Sequence, residues 1–562
     1  MECSTDLTSE KIFDVIVASD ETGVVELQPV CKYPINEKYA IWYYNTDQVP
    51  MPTIARYSYG AIPKCFGLLD TTSLEASGII KMQNIPTLSL TGQGVLIAVI
   101  DTGIAYTDTA FRNVDGSTRI LSIWDQTAPH EGAEEIPFGR IYTREQINEA
   151  LRQENPTDII PELDEEGHGT AMASIVAGSA DPASDFTGAA PDAELVVVKL
   201  KQAKQNLRQI FFVPQTTYAY AESDIMAGIA YVNRIAEERN MPLVIMLGLG
   251  SNNGSHAGTS PLCDYLDILG GLRHRAIVIA AGNEANMRHH FLGNVQSVLT
   301  PQKVEINVER DMDGFYVELW ALAPERFSVS VQSPTGEITP RVQAVNGVNQ
   351  MVEFLFEGTR LTIDYRDAGI RRRNQLIFLR FSNAVRGIWT VNVFTDHAIT
   401  GNYHMWLPMK GMLQSPVYFI NSNPDTTITS PSDAGVPMTV GGYNAQSGAL
   451  YLDSGRGFDS TGAVKPDYVA PAVEVTAKGL RKDYITTTGT SAGAAIAAGA
   501  CAQILEWAVV KKSALGINTV DIKNFLIRGA NRTEGSTYPS TEMGYGKLDV
   551  YRAFELLRNV TV

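Results

Sequence analysis

Four runs of apolar residues, VLIAVID, ELVVVKL, PLVIMLGLG and AIVIAAGN, constrain this chain more than any other feature. Each has the length of a strand and is apolar on both of its alternating sides, so each has to be covered from above and below. Between them lie stretches with helical spacing. In SDIMAGIAYVNRIAEERN the apolar positions Ile225, Ile229, Val232 and Ala236 share one face before Pro242 stops the pattern. Apolar strands alternating with such helices predict an α/β unit, a parallel sheet with helices on both faces. The chain has 562 residues, 44% of them hydrophobic and 19% charged, which is ordinary globular composition with material for a large core. At about 150 residues per domain it has room for three or four units or for one large enzyme with insertions.

The α/β rhythm breaks after residue 300. There KVEINVE, FYVELWA, FSVSVQS, MVEFLF, LTIDY, QLIFLRF, WTVNVF and YHMWLP are short, often alternating and rich in Val, Phe, Trp and Tyr. They predict an inserted antiparallel β-sandwich, and about eight strands fit a jelly roll. The α/β pattern returns with VPMTVGGY and the apolar helical stretch SAGAAIAAGACAQILEWAV. Ahead of it all, FDVIVA and YAIWYY read as strands of a small N-terminal unit. The expected divisions are 1–72, 73–300, 301–413 for the sandwich, and 414–562.

The formal net charge of −17 disfavours binding to a nucleic-acid backbone. Cys3, Cys31, Cys65, Cys263 and Cys501 are scattered and include no C-x-x-C pair, so no zinc or redox site is expected and no structural disulfide is required. The first twenty residues carry acidic side chains where a secretory leader is basic, and they have no apolar stretch of the right length; synthesis in the cytoplasm without a Sec signal is expected. The stretch from Ala494 to Val510 is interrupted by Gln503 and Glu506, so no membrane span is expected. The acidic run Asp164-Glu165-Glu166 reads as a solvated loop, and with no EF-hand spacing no metal or other cofactor is expected.

Four short stretches carry chemistry. Asp101 ends the strand VLIAVID at a Thr-Gly turn, where α/β sheets place functional groups. His168 stands between two glycines at the start of an apolar helix, Asn283 follows a strand and a glycine in AAGNE, and Ser491 follows a Gly-Thr turn at the start of another helix. Singly, each has a plain structural explanation: a strand end, a loop histidine, a turn residue, a helix cap. Together, Asp, His, Asn and Ser at strand ends and helix starts of one α/β unit are the set that acyl transfer needs. A serine hydroxyl becomes nucleophilic when an imidazole takes its proton, and a carboxylate fixes the tautomer of that imidazole.

With D-T-G, G-H-G-T, A-A-G-N and G-T-S in this order, the chain resembles the subtilase family of serine endopeptidases. GAAPDAELVVVKL, SPSDAGVPMTVGGY, PDYVAPAVEV and GYGKLDVYRAFELL strengthen the resemblance, which covers roughly residues 72 to 558 outside the sandwich. It implies Ser491 as nucleophile, His168 as general base, Asp101 as its orienting carboxylate and Asn283 as an oxyanion donor. It also implies that a peptide adds as a strand along Gly248-Leu249-Gly250, with its P1 side chain below Gly250 and Ala281. One departure is the run Ser491-Ala492-Gly493-Ala494-Ala495, where the family usually continues Met-Ala and soon Pro, so a different entry into the helix is expected.

The inserted sandwich, SLEASGI near residue 73 and the absent leader look like the clostridial Csp germination proteases. In that group an N-terminal prodomain assists folding and can stay bound after cleavage, and the protease activates a cortex-lytic hydrolase precursor during spore germination. The resemblance thus implies residues 1–72 as a prodomain cleaved near Leu69-Asp70-Thr71-Thr72, a protein substrate of that kind, and incorporation into the spore. Two other readings stand beside it. Some members keep the fold as a catalytically silent scaffold or germinant sensor, and the sandwich could instead be a binding module.

Overall fold

In the computed structural model, which describes residues 6–18, 28–47, 49, 53, 57–68, 74–130, 136–368, 374–481 and 483–558, the four apolar runs lie side by side in one eight-stranded sheet. Its order is Tyr468–Pro471, Met438–Tyr443, Arg275–Ala280, Leu243–Leu247, Leu96–Asp101, Glu194–Lys199, Ile120–Asp125 and Arg140–Thr143. Neighbours are parallel up to the last strand, which pairs antiparallel at the edge. The four runs are buried along almost their whole length, as strands covered on both faces must be.

One face is covered by helices Glu222–Glu238 and Pro261–Gly270. The other carries His168–Ala177 and Thr490–Leu505, whose side chains join the main core from all sides. That is why the second helix shows no polar face. It starts regularly at Thr490, so the departure after Ser491 leaves the helix entry intact. Among the described residues one helical stretch, Thr490–Val510, is long and apolar enough to cross a membrane, and 83% of its apolar window is buried inside the fold.

The insert is a two-sheet antiparallel sandwich with ten strands among the described residues, rather than eight. Its strands run from His290–Asn294 to Val417–Phe419, starting earlier and ending later than the expected 301–413. Strand Met312–Ala321 shows how it attaches. Phe315, Val317 and Leu319 point into the sandwich core, where Phe315 stacks on Phe381 at 4.5 Å, while the alternate residues Tyr316 and Trp320 join the core of the α/β unit.

The N-terminal unit is a three-stranded antiparallel sheet, Ile12–Ala18, Tyr39–Asn45 and Cys31–Pro34. Ile12, Ile16, Ile41 and Tyr43 pack with Ile225, Ile229 and Leu266 of the covering helices. Further on, Cys65–Leu68 forms a strand antiparallel to Leu249–Gly250, with Leu68 opposite Leu249 and Gly67 opposite Gly250. The cysteines differ from the expectation in one respect: Cys31 is disulfide-bonded, whereas Cys65, Cys263 and Cys501 are free and buried.

Candidate active site

The order of the sheet assembles the site. Strands Arg275–Ala280, Leu243–Leu247 and Leu96–Asp101 are neighbours and parallel, so Ala281 to Asn283, Gly248 and Asp101 emerge together at their carboxyl ends. His168 is the first residue of one helix and Ser491 the second residue of another. Residues far apart in sequence meet because each ends or begins an element of the same sheet layer.

Asp101 is buried and presents both oxygens to His168 Nδ1, at 2.8 and 2.9 Å. That contact places the proton on Nδ1 and leaves Nε2 as the basic nitrogen. The turns that carry the two residues interlock. Gly103 has φ +130°, and a Cβ there would lie 1.6 Å from the Leu163 carbonyl oxygen. Thr102 Oγ1 accepts from Gly169 N at 2.9 Å.

The loop before His168 is solvated at Glu165 and Glu166 but not at Asp164. Asp164 is buried; its Oδ1 accepts from Gly167 N (2.9 Å), and its Oδ2 accepts from Thr170 N (2.9 Å) and Oγ1 (2.6 Å). It caps the helix that starts with His168, because the first N–H groups of a helix have no partner within it. Glu165 and Glu166 are exposed, and Glu166 Oε2 accepts from His168 N at 3.0 Å. Neighbouring groups that strip water from the Glu166 carboxylate push it above its ordinary range.

Ser491 is fully buried and its Oγ donates to Gly248 O at 3.2 Å. A Cβ on Gly248 would stand 3.1 Å from Ser491 Oγ and 3.2 Å from His168 Cε1, so glycine is what lets the strand end, serine and imidazole share one space. Asn283 Oδ1 accepts from Thr490 N at 3.1 Å. With its oxygen engaged, the amide has Nδ2 left to donate.

Of the four residues assigned to substrate binding, Leu249 and Gly250 pair with the chain's own strand Cys65–Leu68, and Gly248 adjoins Ser491. Ala281 is buried, and its carbonyl accepts from Thr429 N at 3.0 Å. The Thr429 side chain fills the space between the two walls: a Cβ on Gly250 would lie 2.3 Å from Thr429 Oγ1, and one on Gly282 would lie 2.6 Å from it. An open groove of about 570 Å3 adjoins His168, lined by Glu166, Leu480, Asp483 and Ile485 among others.

Sequence reasoning missed Thr429, Asp164 and the residues that hold the loop after Gly250. Asn252 Nδ2 donates to Glu284 Oε2 (3.1 Å) and Asn253 Nδ2 to Glu318 Oε1 (2.7 Å). Asn252 and Asn253 lie in the run MLGLGSNNGSHAG and Glu284 follows Asn283 in AAGNE, but neither run assigned them a role; for Glu318 the signal was a glutamate in the apolar strand FYVELWA. Among the described residues no group of three or more His, Cys, Asp or Glu side chains is placed to hold a metal ion.

Comparison with known proteins agrees with this geometry. The model of the subtilase family matches residues 92–335 and 400–546, and the gap falls within the sandwich. The solved structure of the Clostridium perfringens CspB protease is similar at 29% identity with a TM-score of 0.78, covering 87% of this chain and 98% of that one. Membrane-bound transcription factor site-1 protease is 31% identical in mouse over 137 residues, or 23% of this chain, and 30% identical in human over 139 residues, or 24%. These matches span only 12% and 13% of those relatives' own lengths. The family match runs through both halves of the parallel sheet and takes in all four motifs, and the chain belongs to the subtilase family of serine endopeptidases.

Proposed function

We propose that this chain hydrolyses peptide bonds through an acyl-enzyme on Ser491. His168 Nε2 takes the Ser491 proton as Oγ attacks the scissile carbonyl, and Asp101 stabilises the imidazolium through Nδ1. Asn283 Nδ2 and the Ser491 N–H donate to the oxyanion; loss of one such donor typically costs about 2.7–4 kcal/mol in the barrier. His168 then protonates the leaving amine, which breaks the peptide bond. Water, deprotonated by His168, releases the acyl group and restores the serine. The observation that carries this reading is the approach of His168 Nδ1 to both Asp101 oxygens beside Ser491 and Gly248.

We infer further that residues 1–72 are a prodomain processed by the same site. The strand Cys65–Leu68 lies on Leu249–Gly250 and runs toward Gly248 as its numbering rises, which is how a bound substrate would approach Ser491. The expected junction Leu69-Asp70-Thr71-Thr72 lies outside the described residues. Cleavage there within one chain is favoured by high effective concentration. Full burial of Ser491 under an occupied substrate strand favours a latent form. The precursor of a cortex-lytic hydrolase is the proposed protein substrate, a reading that rests on the resemblance to the clostridial Csp germination proteases.

The test is labelling of the native chain with a fluorophosphonate, beside intact-mass analysis of parent and Ser491→Ala. Label on the parent alone, and loss of the N-terminal region from the parent alone, are expected. Turnover of Ser491→Ala within about tenfold of the parent would remove Ser491 from the mechanism, since loss of the nucleophile costs on the order of 10⁶-fold. A folded parent that takes no label even after limited proteolysis has removed residues 1–72, and with them the strand on Leu249–Gly250, supports the silent scaffold instead.

A further inference from the structure

The inserted sandwich places one fully buried carboxylate, that of Glu318, against the rest of the protein. It lies on the face of strand Met312–Ala321 that turns away from the sandwich core, between Tyr316 and Trp320. Four donors converge on it. Tyr59 OH (2.5 Å) and Asn253 Nδ2 (2.7 Å) reach Oε1, and Gly254 N (2.9 Å) and Trp320 Nε1 (2.7 Å) reach Oε2. These donors come from three places: the N-terminal region, the loop that leaves the substrate strand, and the sandwich itself.

Asn253 is held at its other end as well, where Oδ1 accepts from Tyr316 OH (3.2 Å) and Ser251 Oγ (2.9 Å). Tyr59 packs edge-on against Trp320 with ring centroids 5.3 Å apart. Burial, and next the Glu318 charge, hold the Tyr59 hydroxyl well above its usual range, so it stays a donor. A buried carboxylate costs several kcal/mol unless fully hydrogen-bonded, and an apolar residue would serve simple packing at less cost. The charge here does something packing does not, which is to fix a loop and a distant tyrosine in one geometry.

We propose that Glu318 is a positioning residue of the peptidase reaction: through it the sandwich sets the shape of the substrate strand, and the same carboxylate couples that shape to docking of the N-terminal region at Tyr59. The proposal rests on the reading of Leu249–Gly250 as the strand that binds substrate. The present occupant, Cys65–Leu68, lies six residues beyond Tyr59 in the chain. A looser loop at Asn253 should therefore weaken pairing with any extended chain, its own or a foreign one.

Glu318→Gln tests this. Gly254 N–H and Trp320 Nε1–H can only donate, so the new amide oxygen must stay with them and its NH2 faces Tyr59 and Asn253. Hydrogen exchange on the full chain, in a Ser491→Ala background, should quicken by about tenfold in both 251–256 and 57–68, with Leu243–Leu247 unchanged. Tyr59→Phe, which touches only the N-terminal donor, should also quicken 251–256. In active enzyme, kcat/KM for an extended peptide relative to a single-residue ester should fall by at least about fivefold in Glu318→Gln, a ratio from which competition by the N-terminal segment cancels. An unchanged ratio in folded Glu318→Gln, or exchange at 251–256 that ignores Tyr59→Phe, overturns the proposal. If Glu318→Gln does not fold, Tyr59→Phe decides alone. Fluorophosphonate labelling of the parent separates this failure from failure of the peptidase reading.

Discussion

Asp14, on the first strand of the N-terminal sheet, pairs with Lys204 at 2.6 Å, and both side chains are buried. Ser223 Oγ also donates to Asp14, at 2.7 Å, and Lys201 pairs with Asp224 at 2.5 Å beside them. Burial raises the Asp14 carboxyl, but Lys204 and Lys201 outweigh it and hold the carboxyl below its ordinary range. The small N-terminal sheet is thus locked to the catalytic unit by charge as well as by Ile12 and Ile16.

Asp14→Ala leaves two lysines buried beside one aspartate. Removing one partner of a buried pair typically costs about 3–5 kcal/mol. The denaturant midpoint of the full chain should fall accordingly, and Asp14→Asn should lose less. A change below about 1 kcal/mol, the ordinary value of an exposed pair, would show that the lock carries no weight.

Gly248→Ala should lower peptide hydrolysis by about tenfold in a protein that folds normally. The added methyl would stand 3.1 Å from Ser491 Oγ and 3.2 Å from His168 Cε1, so these two side chains must give by a few tenths of an ångström. A misplacement of about 1 Å can cost on the order of 10²-fold in rate, and this smaller one costs less. Steady-state turnover within a factor of two of the parent, with circular dichroism unchanged, counts against it.

Thr429→Ala should deepen the space below Gly250 and Ala281 and shift preference toward larger P1 side chains. The Thr429 hydroxyl and methyl stand between the two glycine walls. One methylene-sized change in a pocket discriminates by about 1–3 kcal/mol and Thr429→Ala removes both the hydroxyl and the methyl, so kcat/KM for large relative to small P1 residues should rise by about tenfold or more. A peptide-library profile identical to that of the parent would place P1 elsewhere.

His290 and His404 make stability depend on pH. Their rings meet at 2.9 Å, Nε2 to Nδ1, and both stack on Trp406. Burial lowers the pKa of His404 to about 4, with His256 adding to it, and burial and then His404 lower that of His290. The unfolded chain binds these protons near 6.5 and the folded chain only below that, so the folded state binds fewer protons in between. Stability from this pair is therefore full above pH about 6.5 and declines as pH falls toward 4. A tenfold difference in proton affinity between the folded and unfolded chain corresponds to about 1.4 kcal/mol. His404→Asn should flatten the acid limb of thermal stability measured from pH 7 to 4; a limb as steep as the parent's would assign it to other groups.

How much of this was legible in the chain follows from the range of the forces involved. The apolar runs determined the buried parallel strands, because a strand apolar on both sides has nowhere else to go. The motifs around Asp101, His168, Asn283 and Ser491 determined the candidate chemistry, since each sets a turn or helix start within a few residues. Glu318 meeting Tyr59 and Asn253, Thr429 filling the wall below Gly250, and Asp14 under Lys204 were decided only by the tertiary structure. Each is a polar side chain whose partner is supplied wholly or partly by packing, and burial is affordable only once those donors arrive. A sequence shows that such a residue is polar; the fold alone determines what satisfies it.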